Sequence, residues 1–590
     1  MGKNVMKLLK PSPNLGKNDF DLSYRSLFSA KFGELLPAYV QETVPNDKIY
    51  IRPNNLIRAI PLVTSPFLRA KQHIDFWFVP YSALFSRFNE FMMDKSEPAS
   101  SALQGRSYIP SVALNYLIGT PETMTGGYDV VGMDYTKGSQ KLLDMLGYPT
   151  ASNLFSVGTI SDDYRVNLFR LCAYNFIWYK EYRQQYYDDG LVNCSDVLKA
   201  KSAAPSFLWN LDFMQCDDAS SSYLENESNF QDYLNAMCQM RYRLWKKDLF
   251  TGLMPSTQFG NVSIVNVSSG VTGTDAGRWY APGSPTSVKP TDMRHTVWRN
   301  TRNLAQPNAS ETSIEYNFNH DHTIPSRSFD ILSLRKSEAI QRWRENSLRA
   351  GNQIEDNWNA HYGVKNKSHL ITHPTFIGSY DAPLNIGDID ATAQTGSGAN
   401  QQLASVAGKG ITSMDGRTFE FETSDFGVII GMWSMLPEAE YNAAGINRMN
   451  SLLEREDFFF PEFENLGLAP VGGENFMAGT SSGSVQPNIG YAPRYWEYKQ
   501  RFDEVHNQFM SFGSSGAVGD FAPWASPKYD VVDALYDSVP ALPLSCLYVN
   551  PSLFDVNFGA SADSSDQFLV DFYFDVDAVR SMSVSGMPSY

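Results

Sequence analysis

The last long stretch of the chain, Asn550 to Tyr590, constrains the fold more than any other. Phe568, Val570, Phe572, Phe574 and Val576 alternate there with Leu569, Asp571, Tyr573, Asp575 and Asp577. Successive side chains of a strand point to opposite faces, so this period of two gives one apolar and one largely acidic face. The pattern predicts a strand buried on one side, then a short tail over 578–590 that Gly586 and Pro588 stop. A sheet that closes only on its final strand cannot shed its C-terminus, which points to one long β design.

At 590 residues the chain could hold several average domains, yet all-β folds reach this size as one unit. It is 43% hydrophobic and 13% aromatic, enough for a large core, but only 19% charged, below the usual quarter. A large chain with few charges and many rings has surface to spare for partners. The formal charge of −16 argues against a free-standing nucleic-acid binder, whose domain would be basic. Local basic faces remain compatible with it. Cys172, Cys194, Cys216 and Cys238 are each 22 residues apart, but their surroundings share nothing but the cysteine. The lack of a CxxC pair argues against a structural zinc site, and the five cysteines read as free thiols of a reducing compartment. The N-terminus has lysines but no signal-like apolar core, and no window approaches the roughly 18 apolar residues of a membrane span.

Residues 1–65 carry six prolines and no clean period. Phe28, Phe32, Leu35, Leu36 and Tyr39 are too apolar for a solvated tail. The expectation is an extended N-terminal arm over a neighbouring surface, with Phe28, Phe32, Leu35 and Tyr39 as subunit-interface residues. KQHIDFWFVP then reads as a strand, with Ile74, Phe76 and Phe78 on one face and His73, Asp75 and Trp77 on the other. Residues 162–187 form the best helix, capped by Ser161 with Asp162 and Asp163 at its positive end. DFGVIIGMWSML is a continuous apolar run that suits a strand buried on both faces, after which Pro437 opens a short helix. A helix near 330–350 puts Ala339, Ile340, Trp343 and Ser347 on one face. Residues 261–325 are rich in Ser, Gly, Thr and Val and read as a β-containing insertion; 185–235 is a second candidate insertion.

Several of these blocks resemble microvirus major capsid proteins, which build the shells of small single-stranded DNA phages. The C-terminal words NPS-FD, SADSSDQ-LV and SGMP carry the likeness. So do SLFSAKFGELLPAYVQETVPNDK, FRLCAYNFIWYKEYR, the basic RYRLWKKDLFTGLMPSTQFG, and GYAPRYWEYKQRF. They fall in the family's order from about residue 23 to the end, interrupted by the two insertions. The resemblance implies a mainly β chain: a single eight-stranded antiparallel jelly roll of the viral coat type over 66–590, with long helical and β loop insertions. It implies a structural protein of the virion, not an enzyme, whose copies form pentamers in a T=1 icosahedral shell around circular single-stranded DNA. Its implied partners are a small basic DNA-condensing protein, pilot or minor spike proteins, scaffolding proteins and a host surface receptor. Assembly would take place in the bacterial cytoplasm. The insertion at 261–325 would be a protrusion near a threefold axis.

The chemistry-bearing motifs are few. Gly408-Lys409-Gly410 lacks P-loop spacing, and His320-Asp321-His322 lacks further metal ligands. The carboxylates Glu454 and Asp457, or Glu462 and Glu464, are no more privileged as a glycosidase dyad than the many other acids. That weakens the alternative of a secreted carbohydrate-binding or glycoside-hydrolase-like protein, as does the lack of a signal sequence. Arg241, Arg243, Trp245, Lys246 and Lys247 mix cations with a ring, as do Arg299 and Arg302 around Trp298. Cations hold phosphates and rings stack on unpaired bases, so these are DNA-contact candidates; an arginine- and tryptophan-rich subunit interface has the same composition. Asp571, Asp575 and Asp577 share one strand face and must be solvated, paired with cations or bridged by Ca²⁺. Calcium binding in the resembled family makes them structural Ca²⁺ candidates; no other cofactor is implied.

Overall fold

In a computed structural model, the described residues are 16–93, 109–117, 135–149, 164–184, 230–258, 331–363, 373–390, 406–477, 488–511, 519–530 and 544–584, with short pieces at 186, 209–211, 279–280 and 287–288 and a few single positions excepted. The chain divides into two compact units, one of 1–257 with 350–590 and one of 258–349.

The larger unit is mainly β and antiparallel, consistent with the expected jelly-roll architecture. Its principal strands are β1 (Asn18–Asp21), β2 (Tyr24–Ala30), β3 (Leu36–Thr43), β4 (Lys48–Ala59), β5 (Ala70–Pro80), β6 (Thr375–Pro383), β7 (Asn385–Asp390), β8 (Val406–Met414), β9 (Phe419–Glu422), β10 (Gly427–Pro437) and β11 (Phe568–Arg580). In one sheet, β11 lies between β4 and the successive pieces β2 and β1, which pair with its first and last halves. On the other side of β4, β9 pairs with Lys48–Ile51 and β8 with Asn55–Arg58, and β7 lies outside β8. The second sheet runs β6–β5–β10–β3.

The sequence periods explain the core between the sheets. Phe568, Val570, Phe572, Phe574 and Val576 are all fully buried, while Leu569, Tyr573 and Asp577 face solvent. The β10 run is buried on both faces, because β3 and β5 flank it in the sheet and a helix packs over it. Rings interlock across the gap: Phe28 with Trp433 at 5.7 Å, Phe76 with Phe419 and Phe78 with Phe421, both at 5.2 Å. One polar cluster sits among them. Asn55 Nδ2 donates to Gln72 Oε1 at 2.6 Å, and Gln72 Nε2 donates to Thr412 Oγ1 at 3.0 Å, so the buried amides are satisfied.

Three sequence expectations are corrected. Residues 18–59 are not an arm laid on a neighbour but four strands of the two sheets. Phe32, Leu35 and Tyr39 are fully buried within this chain, and Phe28 packs half-buried against Trp433. The reason is that the edge of β11 needs hydrogen-bond partners, and the chain's own N-terminus supplies them. The helix expected over 162–187 is α2 (Phe169–Ile177), continued by a π-helical turn at Trp178–Tyr182; Arg165–Asn167 is already a strand paired with Ser111–Ala113. The expected caps Ser161, Asp162 and Asp163 lie outside the described residues. Pro437 ends β10 instead of opening a helix, and Glu440–Asn442 beyond it is again a strand. At Pro437 the strand has become an edge, because β3 stops pairing at Trp433 while β5 continues, and an edge tolerates the missing N–H.

Two further helices, α1 (Tyr135–Met145) and α3 (Phe230–Cys238), accompany α2. Lys141 of α1 ties them to the sheets, with Nζ 2.8 Å from Glu34 and 3.0 Å from Asp566, which also accepts from Ser29. Burial works against the ammonium, yet the two carboxylates outweigh it and hold Lys141 above its ordinary value. Cys172, Cys238 and Cys546 are buried thiols, the last with Sγ 3.6 Å from the Asp530 carbonyl.

Of the smaller unit, Trp279–Tyr280 pairs with Ser287–Val288, and α4 (Ile331–Ala350) closes it. Its separation departs from the single domain expected over 66–590. On α4, Ser347 and Leu348 are buried while Ala339 and Trp343 are exposed, so the expected shared face is turned. Most of 261–325 and of 185–235, including His320 and His322, lies outside the described residues.

Candidate nucleic-acid interface

The basic segment 241–247 is held as an extra strand-like piece. The Leu35 N–H donates to the Arg241 carbonyl at 3.0 Å and the Arg243 N–H to the Gly33 carbonyl at 2.7 Å. On its other side, the Val549 N–H donates to the Arg243 carbonyl at 3.0 Å and the Trp245 N–H to the Leu547 carbonyl at 3.1 Å. This brings the segment beside the outward face of β5, where alternation puts Lys71, His73, Asp75 and Trp77. Between them lies a pocket of about 520 Å³, lined also by Tyr182, Phe376 of β6 and Glu438.

Its floor is a hydrogen-bonded chain. Trp77 Nε1 donates to Tyr182 Oη at 3.1 Å, and Tyr182 Oη donates to Asp75 Oδ2 at 2.6 Å. Arg243 Nη1 stands 3.4 Å from the same carboxylate oxygen and donates to Ser434 Oγ at 2.9 Å. Burial and the neighbouring Asp75 push the Tyr182 phenol well above its ordinary range, so it remains a donor. Burial, then the Arg243 cation, push His73 down to about 4, so the imidazole is neutral near pH 7.

The candidates from the sequence therefore separate. Arg241 is buried and structural: its guanidinium donates to Asn175 Oδ1 at 3.1 Å and the Ala236 carbonyl at 2.7 Å, over the Trp178 ring. Trp245 is buried, with Nε1 donating to the Tyr548 carbonyl at 3.0 Å. Arg243 belongs to the pocket floor. Lys246 and Lys247 are exposed at the rim, the Lys246 side chain 75% so. Arg299 and Arg302 lie outside the described residues. Sequence reasoning missed the wall made by Lys71, His73, Trp77 and Phe376; the polar and aromatic second face of β5 was the available signal.

The calcium candidates do not converge. Asp571 accepts two hydrogen bonds from Arg25, both at 2.7 Å, and Asp575 accepts one from Arg52 at 2.6 Å. Asp577 lies opposite Asp21 in the ladder. The Arg25 guanidinium holds Asp571 below the usual carboxylate range. Among the described residues, no three His, Cys, Asp or Glu side chains group as a metal site would require.

A cation-rimmed, ring-walled pocket on an acidic β protein can hold an anion with a flat ring attached. A family model described as "Capsid protein (F protein)" matches residues 11–590. The chain belongs to this phage capsid family. The capsid protein is similar to the capsid protein VP1 of Chlamydia phage 1, at 22% identity over 98% of this chain and 96% of that one. It is equally similar to the capsid protein VP1 of Bdellovibrio phage phiMH2K, at 22% identity with 98% and 96% covered. Its role is that of a structural major capsid protein, and its place is the virion capsid. No helix among the described residues is long and apolar enough to cross a membrane.

Proposed function

We propose that the capsid protein is a single eight-stranded jelly roll whose copies close, through pentamers, into a small T=1 icosahedral shell around circular single-stranded DNA. The strand order carries this reading. When the broken strands β1/β2 and β8/β9 are each counted once, one sheet runs β2–β11–β4–β8, with β7 as an additional strand at its edge, and the other runs β3–β10–β5–β6. Every neighbour in these two sheets is antiparallel, and consecutive strands from β2 to β5 change sheet at each step before β6 pairs beside β5, as in a jelly roll. The role is structural, without catalysis. The test is electron microscopy of the purified chain with its scaffolding partners: closed shells or pentamers are expected, and a chain that stays monomeric at every salt and concentration overturns the reading.

Within the shell, the packaged strand meets the pocket beside β5. Lys246 and Lys247 take phosphate, and the half-exposed Phe376 offers a ring for an unpaired base. At net charge −16, a small basic condensing protein carries most of the DNA neutralisation. The unit at 258–349, separately compact and containing the insertion, is the element that contacts the host surface. Deleting 265–320 behind a short Gly/Ser bridge should leave shells intact and abolish attachment; a folded subunit that no longer assembles overturns that assignment.

A further inference from the structure

Residues 445–470 form an ordered stretch in which not one side chain is buried. Its ends are anchored, since Tyr441, Val471 and Phe476 belong to a second, smaller core. Its interior is held by three 3₁₀ turns. Asp457 Oδ2 accepts from the Leu453 and Glu454 N–H groups at 3.0 Å, and Oδ1 lies 3.4 Å from Arg448. Yet Leu453 is 86% exposed, Leu466 61% and Phe458 50%. A stiff, solvent-facing apolar surface of this kind marks an interaction site. It is also acidic, with five carboxylates, Glu454 and Glu456 among them, against two arginines.

The opposite composition occurs on α4. Arg335, Ala339, Arg342, Asn346 and Arg349 follow a four–three spacing and are all exposed, a single stripe along the helix. Leu334 and Trp343 flank it, also exposed, and α4 carries five cations against two carboxylates. One surface is apolar and acidic, the other apolar and basic, and both are on the same chain. We infer that the 445–470 stretch of one copy docks on the α4 stripe of the next copy. Such a contact joins two different patches, so each copy offers both halves and a ring can grow head to tail. Charge complementarity sets its register, and the exposed leucines and rings supply the buried area.

This rests on the shell-forming reading, and the experiment separates the two. Three full-length variants are compared with wild type in an assembly assay: Glu454→Arg with Glu456→Arg, Arg335→Glu with Arg342→Glu, and all four together. Each altered side chain is exposed, and an unchanged thermal midpoint checks that the subunits fold. Both double variants are expected to lose assembly and the quadruple variant to regain it. Amide exchange on wild-type material is expected to slow in 446–466 and 335–349 when subunits become shells. Double variants that assemble normally, or exchange that does not change on assembly, put solvent or another protein on these faces and overturn the inference while leaving the shell reading intact. Wild type that never assembles overturns both.

Discussion

The ring of Phe574, from the last strand, lies 5.1 Å from the ring of Tyr39, from the third. The two ends of the chain thus meet in the middle of one core, where both side chains are fully buried. Phe574→Ala should destabilise the larger unit by about 3–5 kcal/mol, measured by denaturant unfolding. Tyr573→Ala, one residue away on the solvent face, should change stability by less than about 0.5 kcal/mol. Equal costs at the two positions would contradict the observed facing of β11.

Lys141 is the cation between Glu34 and Asp566. Lys141→Met keeps its packing but strands a buried carboxylate, so it should cost about 3–5 kcal/mol at neutral pH. Asp566 opposes burial with Lys141 and Ser29 as partners, and its folded value falls below the ordinary 3.8. A depressed carboxylate stabilises above its unfolded value, and that share is lost as pH falls through the folded one. The difference between wild type and variant should therefore be steady from pH 7 to the unfolded value and shrink below it, read from unfolding curves at stepped pH.

The four cations of the 241–247 segment should divide by burial. Arg241→Ala leaves Asn175 and Ala236 without their buried donor and should lower the thermal midpoint. Lys246→Ala with Lys247→Ala should leave the midpoint unchanged, weaken binding to single-stranded oligonucleotides, and reduce the salt slope by about 1.4 if both lysines contact phosphate. An unchanged slope would make the two lysines subunit-contact cations.

His73 carries its own pH signature. Its folded value of about 4 lies below the unfolded 6.5, so the unfolded chain gains a proton first as pH falls between them. The neutral ring therefore contributes stability above the unfolded value that is lost on acidification through that window. His73→Phe should remove the dependence, giving a flatter stability curve from pH 6.5 to 4 in otherwise identical unfolding experiments.

Much of the fold was legible along the chain. The alternation from Phe568 to Val576, the two faces of β5 and the unbroken apolar run of β10 are local patterns, and a strand's geometry turns each directly into a buried face. What the residues share with phage capsid proteins was also written in linear order, so the family and the structural role could be read there. Which surfaces meet was decided only by the tertiary structure. The apolar N-terminal residues needed a partner, and the sequence could not say whether it was a neighbour or the chain's own last strand; the ladder from Tyr24 to Ala30 along β11 answers this. Arg241 and Lys247 are equal as charges in a sequence. Burial separates them, because a side chain's exposure depends on what folds over it from far along the chain, and no local window contains that information.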